Sequence, residues 1–470
     1  MREFWFENKV IVLIILFSLL IRTAFFCQKG PWKREVVEQK ILRFDARSYH
    51  ERSLRILETG SLSWFPAVRT PGYNLFIAFF YYLFGVRVWV VLLAQILLDV
   101  GITIMTFFLA KMLFKSKPVS LVAAFLYAAN WLTPLYAITL LSEIPCSFVF
   151  VLSITIFVYA LQQGKLTYII LSGFLLGLAT LIRPLFQYFI LIPMFVLLLQ
   201  KQQLRIKLIN IVTVFLVFAA VLSPWQYRNR IRFGQYSLTT TFNGTLCYWV
   251  AAGLKADVEG ISLEQARLEF LVATSGRETT AAEQKELWEQ ADIELWSQER
   301  GALAGRVARE YISKHPWRFF TLYSKGIIVY FMGVGEGGMR SLLGLQAIEQ
   351  DATLSVGIIS RLCKLFRDSR EEFFFIPILL MVVIVEYVFA AIGEVIMWTR
   401  KLQRPCLILL VLSAMYSPLI IGSNCVARYR VPIVAFYLAI AAFGIVESWR
   451  LVRKKFVSSP VIVKDSCTGG

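Results

Sequence analysis

A few carboxylates and several arginines, each close to a proline or an aromatic residue, are the side chains in this sequence whose types could do chemistry. Phe44-Asp45-Ala46-Arg47-Ser48-Tyr49-His50 stands in a polar stretch, which Arg69-Thr70-Pro71-Gly72-Tyr73 closes as the chain turns apolar. Leu141-Ser142-Glu143-Ile144-Pro145 sets a second carboxylate at the head of an apolar run. Arginines recur at Leu181-Ile182-Arg183-Pro184, at Pro224-Trp225-Gln226-Tyr227-Arg228-Asn229 and at Arg428-Tyr429-Arg430-Val431-Pro432. A carboxylate can take the proton of an attacking hydroxyl. Guanidiniums, with their bidentate geometry, suit the charge of a phosphate. Taken singly, each feature has a plainer reading: Asp45 to Tyr73 as a solvated loop with a helix-start turn, each arginine as a side chain snorkelling to headgroups.

The elements that must hold these residues are membrane helices. Hydrophobic residues make up 57% of the chain and charged ones 17%, with a mean hydropathy of +0.63; soluble domains carry about a quarter charged residues. Val10 to Phe26, Val88 to Leu109, Ile144 to Leu161, Leu208 to Leu222, Phe373 to Ile396, Cys406 to Ile421 and Val431 to Val446 reach or approach the length that spans hydrocarbon. Backbone in lipid must satisfy its own hydrogen bonds, and the short alternating segments of a barrel are absent, so these runs are helices. The fold expected is an all-α polytopic membrane protein, a helical bundle of about ten to thirteen membrane helices. Arg2 and Lys9 precede the first run, but no small-x-small cleavage site follows it, so a retained first helix is expected.

Residues 1–224 read as an N-terminal membrane module whose first loop, 28–70, carries Asp45; 225–315 as a polar helical insert; 316–456 as a C-terminal membrane module; and 457–470 as a tail. Within the insert, Ala281 to Gln298 has the pattern of an amphipathic helix. Lysines and arginines at 111–117, 201–207, 400–404 and 450–455 mark the cytoplasmic side. With the N-terminus inside, that set is consistent if Gly72–Phe84 and Phe319–Phe331, each of about thirteen residues, are re-entrant or interfacial. Asp45, Glu143, Arg183, the insert and Arg428 then share the outer face.

The net charge of +18 sits mostly in short loops and at helix ends, and no basic helix or aromatic RNA motif accompanies it. No nucleic-acid partner is expected; membrane lipids are. The seven cysteines have no paired spacing, and with two histidines a His-built metal site is nearly excluded. Asn243-Gly244-Thr245 fits the glycosylation pattern, which would matter only in a eukaryotic secretory pathway.

The order of these motifs resembles the polyprenol-phosphate-sugar-dependent glycosyltransferases of the GT-C superfamily. It is most similar to family 39, which holds protein O-mannosyltransferases and lipid A aminoarabinose transferases, and to their bacterial relatives with an RgtA/B/C/D-like domain. The resemblance covers Phe44 to about Gly234 and resumes near His315-Pro316 and at Arg428–Pro432. It implies a GT-C fold and an enzyme moving a sugar from a polyprenyl-phosphate donor to a lipid, glycan or protein acceptor, with inversion at the sugar carbon. It further implies a multi-pass protein of the bacterial inner membrane with its site on the extracytoplasmic face. Carried over by position, Asp45 and Glu143 are the catalytic carboxylates. Arg69, Arg183, Arg228, Arg428 and Arg430 are candidates for the donor phosphate, and Tyr49, Pro71, Gly72 and Tyr73 shape the substrate loop. Many relatives have Asp-x-Asp or Asp-Glu where this chain has Asp45-Ala46-Arg47. A lone carboxylate is a poor cage for a divalent ion, so no metal or other cofactor is expected, a divalent ion being the less favoured option.

Two other classes fit parts of the pattern. Asp99, with Gln95 one turn before it inside an apolar run, keeps a secondary transporter in view; its plain alternative is an interhelical hydrogen-bonded contact. A lipid-linked oligosaccharide polymerase or ligase would place its large outer loop late in the chain, whereas here the longest polar stretch is central.

Overall fold

Each long apolar run is a helix, and the punctuation between runs follows prolines and glycines. A computed structural model describes residues 2–43, 45–275, 298–343, 370–422 and 426–457. Numbering the principal helices in chain order, α1 is Arg2–Lys29, α2 Asp45–Thr59, α3 Gly72–Phe84, α4 Val88–Phe114, α5 Lys117–Ala129, α6 Leu132–Ala137, α7 Glu143–Gln163, α8 Leu166–Ile182, α9 Leu191–Leu198 and α10 Leu204–Phe233. The insert contributes α11 Ala252–Glu259, α12 Leu263–Ser275 and α13 Gln298–Lys314; the remainder is α14 Pro316–Met332, α15 Arg370–Thr399, α16 Arg404–Ile421 and α17 Val434–Val457. No strand occurs among the described residues. Among the described residues, seven helices are long and apolar enough to cross a membrane, and shorter apolar ones, including α3, α5 and α8, pack among them. The chain is an all-α, multi-pass membrane protein.

The span that opens with Ala427 and continues through α17 is the most enclosed, with 83% of its apolar window buried. It packs against α4, α5 and α15. Its crossing with α15 is close because both helices present glycine: a Cβ at Gly444 would lie 2.0 Å from the Phe389 carbonyl oxygen, and one at Gly393 2.4 Å from that of Ile440. Small residues at such crossings let backbones approach in lipid, where no hydrophobic force draws helices together.

A buried polar node ties α1 to α4, α5 and α6. Arg22 Nε donates to Asp99 Oδ2 at 2.8 Å, Tyr127 Oη to Asp99 Oδ1 at 2.7 Å, and Thr133 Oγ1 to Asp99 Oδ2 at 3.0 Å. The same guanidinium donates to the Ala128 carbonyl at 2.9 Å and the Ser18 carbonyl at 3.2 Å. Burying an ion pair is tolerated when its remaining donors and acceptors are satisfied, and here they are. Asp99 is thus the interhelical contact that was the plain alternative to a transport residue.

Helix α10 runs through Pro224 and ends at Phe233 with Gly234 as its cap, so Pro224 lies inside a helix. The described part of the insert has its own small core of Cys247, Tyr248, Ala251, Phe270, Leu271, Ala304 and Ala308. Phe44, the amphipathic segment over 281–297 and the tail after 457 lie outside the described residues. α3 has the span 72–84 expected for the short segment after Pro71, while the segment expected over 319–331 is the longer helix α14.

Candidate functional site

Asp45 is the first residue of α2 rather than part of an open loop. There the unpaired amides of a helix start favour negative charge. Tyr49 lies one turn on, on the same face. Arg69 comes from the loop before α3 and closes on both: its Nη2 donates to Asp45 Oδ1 at 2.7 Å, and its Nη1 to Tyr49 Oη at 3.0 Å. The Arg69 guanidinium also lies over the Tyr49 ring, 4.8 Å from its centre, and that ring meets Tyr73 edge-on at 4.7 Å. Tyr73 is fully buried and donates to Gln95 Oε1 at 2.7 Å.

Pro71 and Gly72 set this geometry from the start of α3. A Cβ on Gly72 would stand 2.6 Å from the Leu181 carbonyl oxygen, so only glycine lets the start of α3 meet the end of α8. That contact sets the start of α3, just after Arg69, against the end of α8, just before Arg183. The residue before a proline is disfavoured in the helical region. With Pro184 next, Arg183 is extended at φ −138° and ends α8.

Glu143 opens α7, and Arg183 Nη1 lies 2.8 Å from its Oε1. Arg428, from the short 3-10 segment Ala427–Ile433 that leads into α17, connects the two carboxylates. Its Nη1 donates to Asp45 Oδ2 at 3.3 Å, while its Nε stands 3.8 Å from Glu143 Oε1. Glu143 forms the floor, with a side chain 2% exposed, and Asp45 the mouth, with one 33% exposed. Glu143 Oε2 and Arg428 Nε are buried without a hydrogen-bond partner.

Burial alone would push the Asp45 carboxyl up. Arg69 and Arg428 together outweigh it and hold the group down at about 2. Its neighbour His50 faces away, with Nδ1 2.8 Å from Tyr81 Oη, and burial lowers its pKa.

Two of the expected phosphate arginines are elsewhere. Arg430 is 1% exposed and donates to the carbonyls of Tyr330 at 3.2 Å, Gly333 at 2.7 Å and Phe331, tying down the end of α14. Arg228 donates to the carbonyls of Leu62 and Ser63, both at 2.9 Å, and of Phe65, and so shapes the loop that delivers Arg69. Sequence reasoning missed Tyr429, which is flanked by Arg183 at 5.2 Å and Arg428 at 5.0 Å from its ring centre and accepts from Arg428 Nη2 at 3.2 Å. An aromatic between two arginines was the available signal.

Three guanidiniums (Arg69, Arg183, Arg428) and two carboxylates (Asp45, Glu143) therefore converge. Three positive against two negative leaves a surplus of one positive charge, suited to a monoanionic phosphodiester. The same surplus makes this set a poor fit for a divalent cation, which needs several free oxygen ligands. Among the described residues no group of three or more His, Cys, Asp or Glu converges. The opposite end of the bundle is different in kind. Lys115, Gln163, Gln200 and Gln403 line a cavity of about 430 Å³ there, one length of α7 away from Glu143.

This all-α membrane bundle is similar in fold to GT-C glycosyltransferases. Residues 68–227 match the family of dolichyl-phosphate-mannose-protein mannosyltransferases, and the resemblance read from the motifs is borne out. Among solved structures, the chain is similar to the Archaeoglobus fulgidus oligosaccharyltransferase tethered with an acceptor peptide containing the NVT sequon. The TM-score is 0.51 at 13% identity, over 96% of this chain and 50% of that one. The same enzyme in complex with Zn and sulfate gives 0.48 at 15%, over 95% and 52%. ArnT from Cupriavidus metallidurans, bound to undecaprenyl phosphate, gives 0.39 at 12%, over 96% and 80%. The chain thus spans about half the length of the oligosaccharyltransferase. No curated protein matches the sequence.

Proposed function

We propose that this protein transfers a sugar from a polyprenyl-phosphate-linked donor to a hydroxyl of a lipid, glycan or protein acceptor, on the extracytoplasmic face of a bacterial inner membrane. The observation that carries the reading is Arg428, which reaches Asp45 and Glu143 at once beside Arg69 and Arg183. The family matched over 68–227 is named for a dolichyl-phosphate-linked mannose donor, and Lys115 lies at the end of the bundle away from the site, with Gln200 and Gln403, the chain neighbours of Lys201 and Arg404. The isoprenoid lies among the apolar helices and its phosphate meets Arg69, Arg183 and Arg428. A phosphate drawing Arg69 and Arg428 away from Asp45 frees that carboxylate to act as a base, a role it fills poorly while both arginines hold it. The acceptor oxygen attacks the anomeric carbon as the carbon–oxygen bond to phosphate breaks. The proton passes to Asp45, the electron pair leaves on the phosphate oxygen, and its new charge is met by the guanidiniums. Glu143, on the floor, has Oε2 free to accept a sugar hydroxyl.

Asp45→Asn in purified protein tests this. Transfer falls about a hundredfold or more, the scale of a positioned base, with insertion and thermal stability kept; near-normal turnover in that variant refutes the assignment. Turnover in excess chelator is expected to be undiminished, and restoration only by added Mn²⁺ or Mg²⁺ would overturn the metal-free mechanism. No observation favours the transport reading, since Asp99 is taken up by Arg22, Tyr127 and Thr133.

A further inference from the structure

At the same end of the bundle as Asp45, a second cavity of about 190 Å³ opens between the segment after α10 and the start of α13. Its walls are Gln235, Thr239, Thr240, Phe242 and Asn243, and its floor is Gly301 and Ala302. Every one of these side chains is uncharged, in a chain with a net charge of +18. The Phe242 ring is 67% exposed, and that of neighbouring Tyr236 59%. An exposed ring beside amide and hydroxyl groups, with a floor too small to obstruct, suits a ligand that has both a C–H face and a fan of hydroxyls. Gln235 offers a donor pair and an acceptor to vicinal hydroxyls, Asn243, whose Oδ1 accepts from Arg309, offers its donor pair, and the ring takes the apolar face. The lining itself carries no charged side chain, and the Arg309 guanidinium beside it donates to Asn243 Oδ1 at 3.5 Å.

The cavity is rigidly tied to the reacting centre. Trp225 Nε1 donates to the Leu238 carbonyl at 3.0 Å, and Asn229 Nδ2 to those of Ser237 at 2.9 Å and Leu238 at 3.2 Å, which fixes the segment on α10. The Thr240 amide then donates to the Ala67 carbonyl at 2.9 Å. Ala67 is two residues before Arg69, the partner of Asp45. A ligand in the cavity is thereby indexed to the loop that sets the base.

We propose that this cavity binds a saccharide unit of the acceptor, so that the acceptor is a glycan or glycolipid rather than an unglycosylated peptide; the inference rests on the glycosyl-transfer reading. The test is saturation-transfer NMR on the full chain in nanodiscs, with methyl α-mannoside, methyl β-galactoside, N-acetylglucosamine and a neutral Ala-Ser-Ala peptide as probes. At least one saccharide is expected to give a signal that Phe242→Ala weakens about tenfold, the scale of one lost ring contact, and that Asn243→Ala also weakens. Asp45→Asn keeps the signal. No saccharide signal from the native chain, a signal from the peptide alone, or saccharide signals untouched by both cavity variants would each overturn the proposal. Failure of the wider reading appears separately, as full transfer by Asp45→Asn with the saccharide signal and its Phe242 dependence intact. Phe242 is solvent-facing, and the melting temperature of its variant checks that the insert remains folded.

Discussion

Arg69→Gln tests the electrostatics of the site most directly. Asp45 is touched by Arg69 at 2.7 Å and by Arg428 at 3.3 Å, and both arginines work against burial to hold the carboxyl at about 2. Two unit charges ~4 Å apart attract by ~4 kcal/mol at an effective dielectric of 20. Asp45 is a third exposed, so solvent screening about halves this, leaving ~2 kcal/mol, or roughly 1.5 pH units. The sign is fixed: losing a cation raises the carboxyl, from about 2 to about 3.5. The acid limb of kcat/KM follows the free enzyme. Near pH 3 the native site therefore keeps roughly nine-tenths of its neutral-pH value, and the variant roughly a quarter. Arg69→Gln also loses a phosphate contact, so each profile is normalised to its own plateau. The assay is initial-rate transfer from a short-chain polyprenyl-phosphate sugar in detergent, with tryptophan fluorescence reporting foldedness at each pH. Arg69→Lys, which keeps the charge, moves the limb less. Superimposable normalised profiles for the native and Gln proteins would refute the reasoning, as would a native acid limb near pH 6.

Three further substitutions separate scaffold from site. Arg430→Met strips partners from the buried carbonyls of Tyr330, Phe331 and Gly333; it lowers thermal stability by ~2–4 kcal/mol while turnover per folded molecule stays within about twofold, and a selective loss of turnover at normal stability would make Arg430 a substrate contact. Gly72→Ala drives a Cβ against the Leu181 carbonyl oxygen, costs ~1–3 kcal/mol and reduces transfer by parting the start of α3, which follows Arg69, from the end of α8; native stability and rate in that variant would contradict the close approach. Asp99→Asn leaves the Arg22 guanidinium without its counter-ion, costs ~3–5 kcal/mol and produces no change in proton-coupled uptake by proteoliposomes, and an uptake activity lost with the carboxylate would restore the transport reading.

The helices and the convergence of Asp45, Glu143, Arg183 and Arg428 were legible because long apolar runs fix the bundle, and these residues stand where those runs end. The sorting of the arginines was not. Arg228, Arg430 and Arg428 all sit beside aromatics at helix ends, and their spacing is the same whether the partner is a carbonyl or a carboxylate. Which partner each finds depends on loops brought in from far along the chain, as Leu62 is to Arg228 and Tyr330 to Arg430. Arg22 carries no signal of its role in the sequence, because its partner Asp99 lies 77 residues away. The partner decides the role. A buried carbonyl stripped of its donor stays unsatisfied, so Arg228 and Arg430 cannot turn to a ligand without cost. A carboxylate can yield a guanidinium to another anion, because charge is conserved in the exchange. Arg69, Arg183 and Arg428 are the arginines of this set whose acid partners a phosphate could replace, and the same replacement would release the base.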